Sequence, residues 1–155
     1  MSKRDEAGRG HDEILRAIAD RAREKGGAVS AVFAGPDKHA MIDAAEVLAR
    51  ELGRELYRVD LAQVVSKYIG ETEKNLERLF HRAEDGAWVL FFDDAEALFG
   101  DRSGNEALVH RIVAYAGVVI LAVDLRKVRD RAFERHVHFV VEFPGYAGSS
   151  PFGAT

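Results

Sequence analysis

Apolar positions along the chain fall into two kinds of run that alternate. Between residues 11 and 25, Ile14, Leu15, Ile18 and Ala22 recur at helical spacing, and Gly26 with Gly27 supplies a stop. Residues 28–33 are then apolar without a helix's length, and rich enough in Val and Phe to read as a buried strand. AGPDKHA is a loop by composition, and residues 41–52 read as a helix with Ala44, Ala45, Val47, Leu48 and Leu52 on or near one face and Gly53 just past its end. The alternation continues. A strand at 55–60 leads through a short apolar piece, 61–65, and the loop SKYIGE to a helix at 73–84. Thr72 is its expected N-cap, Leu76, Leu79, Phe80 and Ala83 face inward, and Gly86 ends it. A strand at 87–92, a loop GDRSG, a helix at 105–115, a strand at 118–123, a short basic helix within 126–135 and a strand at 138–143 complete the pattern.

Strands that are apolar on both faces and alternate with helices predict an α/β fold, a doubly wound parallel sheet with helices on each side. In such sheets ligands bind beyond the carboxyl ends of the strands. The residues to inspect are therefore those at 35–40, Asp60, Asp93 with Asp94, and Asp124. A chain of 155 residues fits one domain, able to bury roughly 70% of its unfolded surface. Residues 1–10 read as a flexible N-terminus, 11–144 as the folded core, and 145–155, GYAGSSPFGAT, small and turn-forming without periodicity, as an irregular tail.

Charge and composition narrow the function. The net charge of −4 argues against a nucleic-acid binder, and the absence of cysteine excludes disulfides and thiolate metal sites. No apolar run approaches ~20 residues and MSKRDEAGRG is not followed by an apolar stretch, so neither a membrane span nor a secretory signal is expected and the reading is cytoplasmic.

The chemistry concentrates at VLFFDDAEALF, an apolar strand delivering two acids at its tip. Such a tip can hold magnesium through water with its first acid and position an attacking water with its second; two acids can also simply open a helix, where they favour the dipole. Taken with SKYIGETEKNLERLF, RELYRVDL, GVVILAVDLRK and FVVEFP, this stretch resembles the nucleotide-binding core of AAA-type ATPases, and within them the AAA ATPases found with contractile injection systems (phage-tail-like particles). The resemblance covers residues 29–144 and implies a P-loop NTPase-like, five-stranded sheet in the order 5-1-4-3-2.

What the resemblance implies for the site depends on the position. The family's P-loop, G-P-P-G-T-G-K-T, cradles phosphates with backbone N–H groups, pairs its Lys with the β/γ-phosphates and binds Mg²⁺ through its Thr. Here the stretch reads GPDKHAMI: Gly35 and Pro36 match, Asp37 adds a negative charge, Met41 stands for the Lys and Ile42 for the Thr. Each charge-assisted hydrogen bond lost with that Lys is worth about 1.5–3 kcal/mol. Lys38 offers a cation from a different backbone position. Asp93 matches the magnesium-side acid, while Asp94 stands one methylene short of the family's catalytic Glu. Asp124 replaces an Asn that positions the attacking water; an acid there opposes a γ-phosphate by roughly 4 kcal/mol at about 4 Å. In DRAFERHVHF, Arg135 matches the first arginine finger and His136 replaces the second. Lys67, Tyr68 and Ile69 match the family's pore loop, which grips a threaded polypeptide. The family carries about a dozen more residues before the helix at Leu108 and a helical lid domain after FVVEFP, which the Gly/Ser tail does not resemble; the lid is expected to be absent and a homo-hexamer is not favoured.

Other groups read as structure. His136 and His138 have metal-pair spacing without an evident third ligand; Trp88, Phe91 and Phe92 read as core; Arg126, Lys127, Arg129 and Arg131 read as a solvated helix face. Two functions follow. The first is a degenerate AAA domain, a pseudo-ATPase that acts by binding a protein partner such as an intact AAA ATPase or an injection-system component, with a decayed fragment as its sub-case. The second is an ATP- and Mg²⁺-binding, slowly hydrolysing AAA ATPase that remodels or assembles a protein complex.

Overall fold

The computed structural model describes residues 9–24, 27–68, 70–99, 105–128 and 134–143. Five strands, β1 (Val29–Ala34), β2 (Leu56–Asp60), β3 (Val89–Asp93), β4 (Val118–Val123) and β5 (Phe139–Glu142), form one sheet. Five helices, α1 (Arg9–Arg23), α2 (Lys38–Leu52), α3 (Leu61–Val64), α4 (Glu71–Gly86) and α5 (Asn105–Val113), connect and cover it. Every strand pairing is parallel and the order is β2-β3-β4-β1-β5, the expected 5-1-4-3-2 read from the other edge.

The sheet is buried on both faces because its central strands carry apolar side chains at every position but Ser30 and Asp93. One face, with Ala31, Phe33, Phe91 and Ile120, packs on Leu15 and Ile18 of α1 and Ala44, Ala45 and Leu48 of α2. The other, with Val32, Leu90, Phe92 and Leu121, packs on Leu76, Leu79 and Ala83 of α4 and Val109 and Ile112 of α5. Period-2 alternation thus sends neighbouring residues of each strand to opposite helix layers. Trp88 is half-buried against the second layer, while Phe91 and Phe92 are core.

Element ends moved for identifiable local reasons. Helix α2 begins three residues before Met41, at Lys38, because Asp37 caps it: its carboxylate accepts from the Ala40 N–H at 3.1 Å. Helix α4 begins at Glu71 rather than after Thr72, and Thr72 does not cap it. Its hydroxyl instead accepts from the Ser66 N–H at 2.8 Å and donates to the Ser66 carbonyl at 3.3 Å, pinning the loop that follows α3. Gly86 lies inside α4, and the left-handed residue that ends the helix is Ala87, with φ of 53°. Glycine is needed at 86 for a different reason: a Cβ there would sit 2.3 Å from Nε1 of Trp88. The cap at Ala87 delays β3 to Val89. The start of the basic segment forms a 3-10 turn at Leu125–Lys127; residues 129–133, with Arg129 and Arg131, lie outside the described residues, as do residues 1–8 and 144–155 of the two terminal segments. No described helix is long and apolar enough to cross a membrane.

Tyr115, just past α5, locks this second layer. Its hydroxyl reaches the carbonyls of Trp88 at 2.8 Å and Ala83 at 3.1 Å, and its ring stacks on Phe80 with centroids 5.5 Å apart. Burial, reinforced by the Glu84 carboxylate and opposed by Arg54, pushes its pKa from 10.0 up to about 12. A pKa raised in the folded state gives stability that is complete below the unfolded value and is lost as pH rises through the folded one. Tyr115→Phe is expected to cost about 1 kcal/mol at neutral pH. In urea unfolding across pH 10 to 12 the wild type should then lose stability that the variant keeps, so that the deficit closes; parallel curves would contradict this assignment.

Candidate functional site

The parallel register brings the strand ends with their acids to one edge. Asp60 ends β2 opposite Asp93 at the end of β3, Asp94 follows in a left-handed conformation with φ of 53°, and Asp124 follows β4. Asp tolerates that conformation better than most residues. Gly35 follows β1 with φ of 150°, and a Cβ there would lie 2.3 Å from the Phe143 carbonyl oxygen. Gly35 is therefore required by the close approach of the chain leaving β5, whose Phe143 N–H bonds the Ala34 carbonyl at 2.7 Å.

A cavity of about 220 Å³ opens between these ends. Of the residues singled out from sequence, Gly35, Pro36, Lys38, Met41, Asp94 and Asp124 line it. Asp93 lies directly behind, 3.9 Å from Lys38 Nζ. Met41 turns its side chain into the core at 2% exposure, and Ile42 packs, half-buried, against the α1–α2 layer rather than the cavity.

The site's charges are paired among themselves. At the N-terminus of α2, where free N–H groups and the dipole attract anions, the Asp37 carboxylate already takes the Ala40 N–H. Lys38 Nζ reaches across the cavity to Asp94 at 3.3 Å. The buried Asp93 carboxylate accepts from Arg58 of β2 at 3.2 Å through Oδ2. Its Oδ1 is buried with no hydrogen-bond partner among the described residues, the Lys38 ammonium being its nearest cation.

Asp124 is held most tightly. Its carboxylate accepts from the Arg126 backbone N–H at 3.0 Å and from the guanidinium at 3.0 and 2.8 Å. The Arg126 hydrogen bonds lower its pKa from 3.8 to about 2, so it is ionised at every physiological pH. Glu96, which the sequence reading missed, accepts from the Asp124 N–H at 3.0 Å and lies 4.0 Å from Lys127. Arg126 and Lys127, though largely solvated as expected, are thus also turned to acids at the site. The signal for Arg126 was present in the order Asp-x-Arg after a strand, an Asx-type turn. Arg58 and Glu96 carried no local signal, since their partners lie 35 and 28 residues away.

The remaining singled-out residues do not join the cavity. Arg135 is exposed and does not line it. Lys67 and Tyr68 form an exposed turn with the ammonium 5.8 Å from the ring centre, and Ile69 lies outside the described residues. His136 faces His110 with ring centroids 5.1 Å apart, whereas His138 bonds Ser30 and approaches Arg21 at 3.2 Å. The two histidines have separate surroundings, and no group of three metal-ligating side chains occurs among the described residues.

A five-stranded parallel sheet in this order, with a Gly-Pro turn after β1 and acids at the end of β3, defines a P-loop NTPase-type fold. The sequence pattern of the ATPase family associated with various cellular activities (AAA) matches residues 43–137, and the chain belongs to that family. An uncharacterized AAA family ATPase of Sinorhizobium fredii is 34% identical over 139 residues, covering 81% of this chain and 42% of that protein. The mouse ATPase family gene 2 protein homolog B is 33% identical over 107 residues, 66% of this chain and 14% of its own. The chain therefore spans less than half the length of these relatives. The crystal structure of the FIGL-1 AAA domain in complex with ADP superposes with a TM-score of 0.67 at 17% identity, over 88% of this chain and 52% of that one, a likeness of fold.

The Asp124–Arg126 pairing makes a direct prediction. Because the folded pKa is depressed, the pair contributes stability above pH 3.8 that is lost as pH falls through about 2. In Arg126→Gln, carboxyl-carbon NMR should show the Asp124 midpoint return toward 3.8, with a correspondingly flatter acid limb of the stability curve. A midpoint that stays near 2 would refute the role of Arg126.

Proposed function

We propose that this AAA domain has lost ATP hydrolysis and acts by engaging a protein partner, with an intact AAA ATPase or a component of a contractile injection system as the partner class its motif stretches favour. The observation that supports this best is the internal pairing of Asp37 with the α2 N-terminus and of Lys38 with Asp94 and Asp93. The family binds ATP with Mg²⁺, which requires an anion cradle, a cation on the phosphates and a hydroxyl on the metal. The residues present do not fit that set. Asp37 holds the helix terminus a phosphate would use, Met41 and Ile42 bring neither charge nor hydroxyl, and Lys38 is directed at the acids. The cavity, about 220 Å³, lies below the ~300 Å³ at which small-molecule pockets ordinarily begin. The family pattern, moreover, is matched only from Asp43 onward, just past the turn.

One observation favours the second reading, a chain that binds ATP and hydrolyses it slowly. Asp93 Oδ1 is a buried acceptor without a donor, as an oxygen awaiting a metal-bound water would be. Calorimetric titration with ATP, with and without Mg²⁺, separates the two. The expected result is no binding heat up to millimolar nucleotide, with no rise in melting temperature. Nucleotide at a hundred times its dissociation constant would stabilise the fold by about 2.7 kcal/mol, an unmistakable shift. Micromolar, magnesium-dependent binding would overturn the proposal, and phosphate release abolished by Asp93→Asn would establish the second reading in its place.

A further inference from the structure

A second cavity, larger than the strand-end one and sharing none of its lining residues, adjoins the strand-end acids through Arg58, the partner of Asp93. It is an open cleft of about 1100 Å³ between α4, the edge strand β2 and the end of α5. Tyr57, Phe80 and Tyr115 supply apolar lining, while Lys74, Arg78 and Arg82 follow one another at four-residue spacing on α4. All three cations are exposed, and none has a carboxylate within ion-pair distance among the described residues. Arg78 donates a hydrogen bond to Asn75, one turn earlier on the same helix, at 2.7 Å. Arg82 lies 5.4 Å above the Trp88 ring and 5.8 Å from that of Tyr57, which are themselves stacked at 4.6 Å. Of the other charges on the lining, Arg111 is paired with Glu77 and Arg58 with Asp93, leaving Glu84 as the acid facing three uncompensated cations. A chain of net charge −4 thus carries a cationic stripe in this cleft.

Strand β2 forms one side of the same cleft. Among the described residues it pairs with β3 alone, and no further strand lies along its outer edge. An edge of this kind accepts an extended peptide as a further strand. We propose that the cleft binds an acidic, extended polypeptide segment, its backbone along β2 and its alternate carboxylates on Lys74, Arg78 and Arg82. The repeats agree. Four residues of helix rise about 6 Å, and every second side chain of a strand recurs at about 6.6–6.8 Å. A nucleic-acid strand would satisfy the cations but has no peptide groups for β2. The surface gives the partner-binding reading a location, yet it is independent of the nucleotide question, which calorimetry answers separately.

The test uses the full chain without nucleotide and a fluorescein-labelled synthetic peptide of alternating glutamate and valine, about ten residues long. Anisotropy should show saturable binding that weakens by at least about tenfold in Arg78→Glu/Arg82→Glu and survives in Arg78→Lys. Backbone amides of Leu56–Asp60 should shift in NMR spectra on binding. An alternating glutamate–proline peptide, equal in charge but unable to pair as a strand, should bind at least about tenfold more weakly. Circular dichroism checks the folding of the charge-reversed variant, and Arg78→Gln/Arg82→Gln replaces it if it is unfolded. The proposal is overturned by absent binding, by equal binding to the variant or to the proline peptide, by oligothymidylate binding as tightly, or by self-association of the free chain that the variant abolishes.

Discussion

The buried carboxylate of Asp93 is the constraint around which the strand-end edge is arranged. It closes β3 at 9% exposure, in a layer where every neighbouring position on the central strands is apolar. A carboxylate removed from water costs several kcal/mol unless cations and donors replace the solvent. That compensation is supplied within the chain, by Arg58 on the adjacent strand and Lys38 across the cavity. The Lys38 arm extends from the first turn of α2, which Asp37 caps and which begins three residues before Met41. Two adjacent residues of the turn thus act together: Asp37 starts the helix early and occupies its terminus, and Lys38 supplies the cation that faces the acids.

The individual pairs are weak. Lys38 is 45% exposed and Asp94 62%, and exposed pairs contribute about 0–1 kcal/mol. Their effect is on the site's potential: Asp93, Asp94, Glu96 and Asp124 each have a cation of the same chain within 4.0 Å. A polyphosphate arriving there meets no uncompensated positive charge, only cations already committed to carboxylates.

Much of the fold was legible because its signal is local. β4 falls at Val118–Val123 as read from the run of apolar residues, and the sheet order follows from the resemblance carried by the strands and their ends. Boundaries moved where a side chain chose a partner that periodicity does not specify. Asp37 capped α2 early, Thr72 tied back the loop before α4, and Trp88 needed the space beside Gly86 and so pushed the left-handed cap to Ala87. The site divides in the same way. Gly35, Pro36, Lys38, Met41, Asp94 and Asp124 converge because the topology gathers strand ends, a consequence of the fold class alone. Arg58 and Glu96 complete the charge pairing through contacts between distant segments, and no spacing rule selects them.

The most direct test of self-neutralisation is a crystal structure of the chain soaked with magnesium and a non-hydrolysable ATP analogue at millimolar concentration. The expected result is an unchanged edge, with the Asp37 carboxylate on the Ala40 N–H and Lys38 Nζ within ion-pair distance of Asp94. Phosphate density at the α2 N-terminus, with Asp37 displaced and Lys38 turned from the acids to the phosphates, would contradict it.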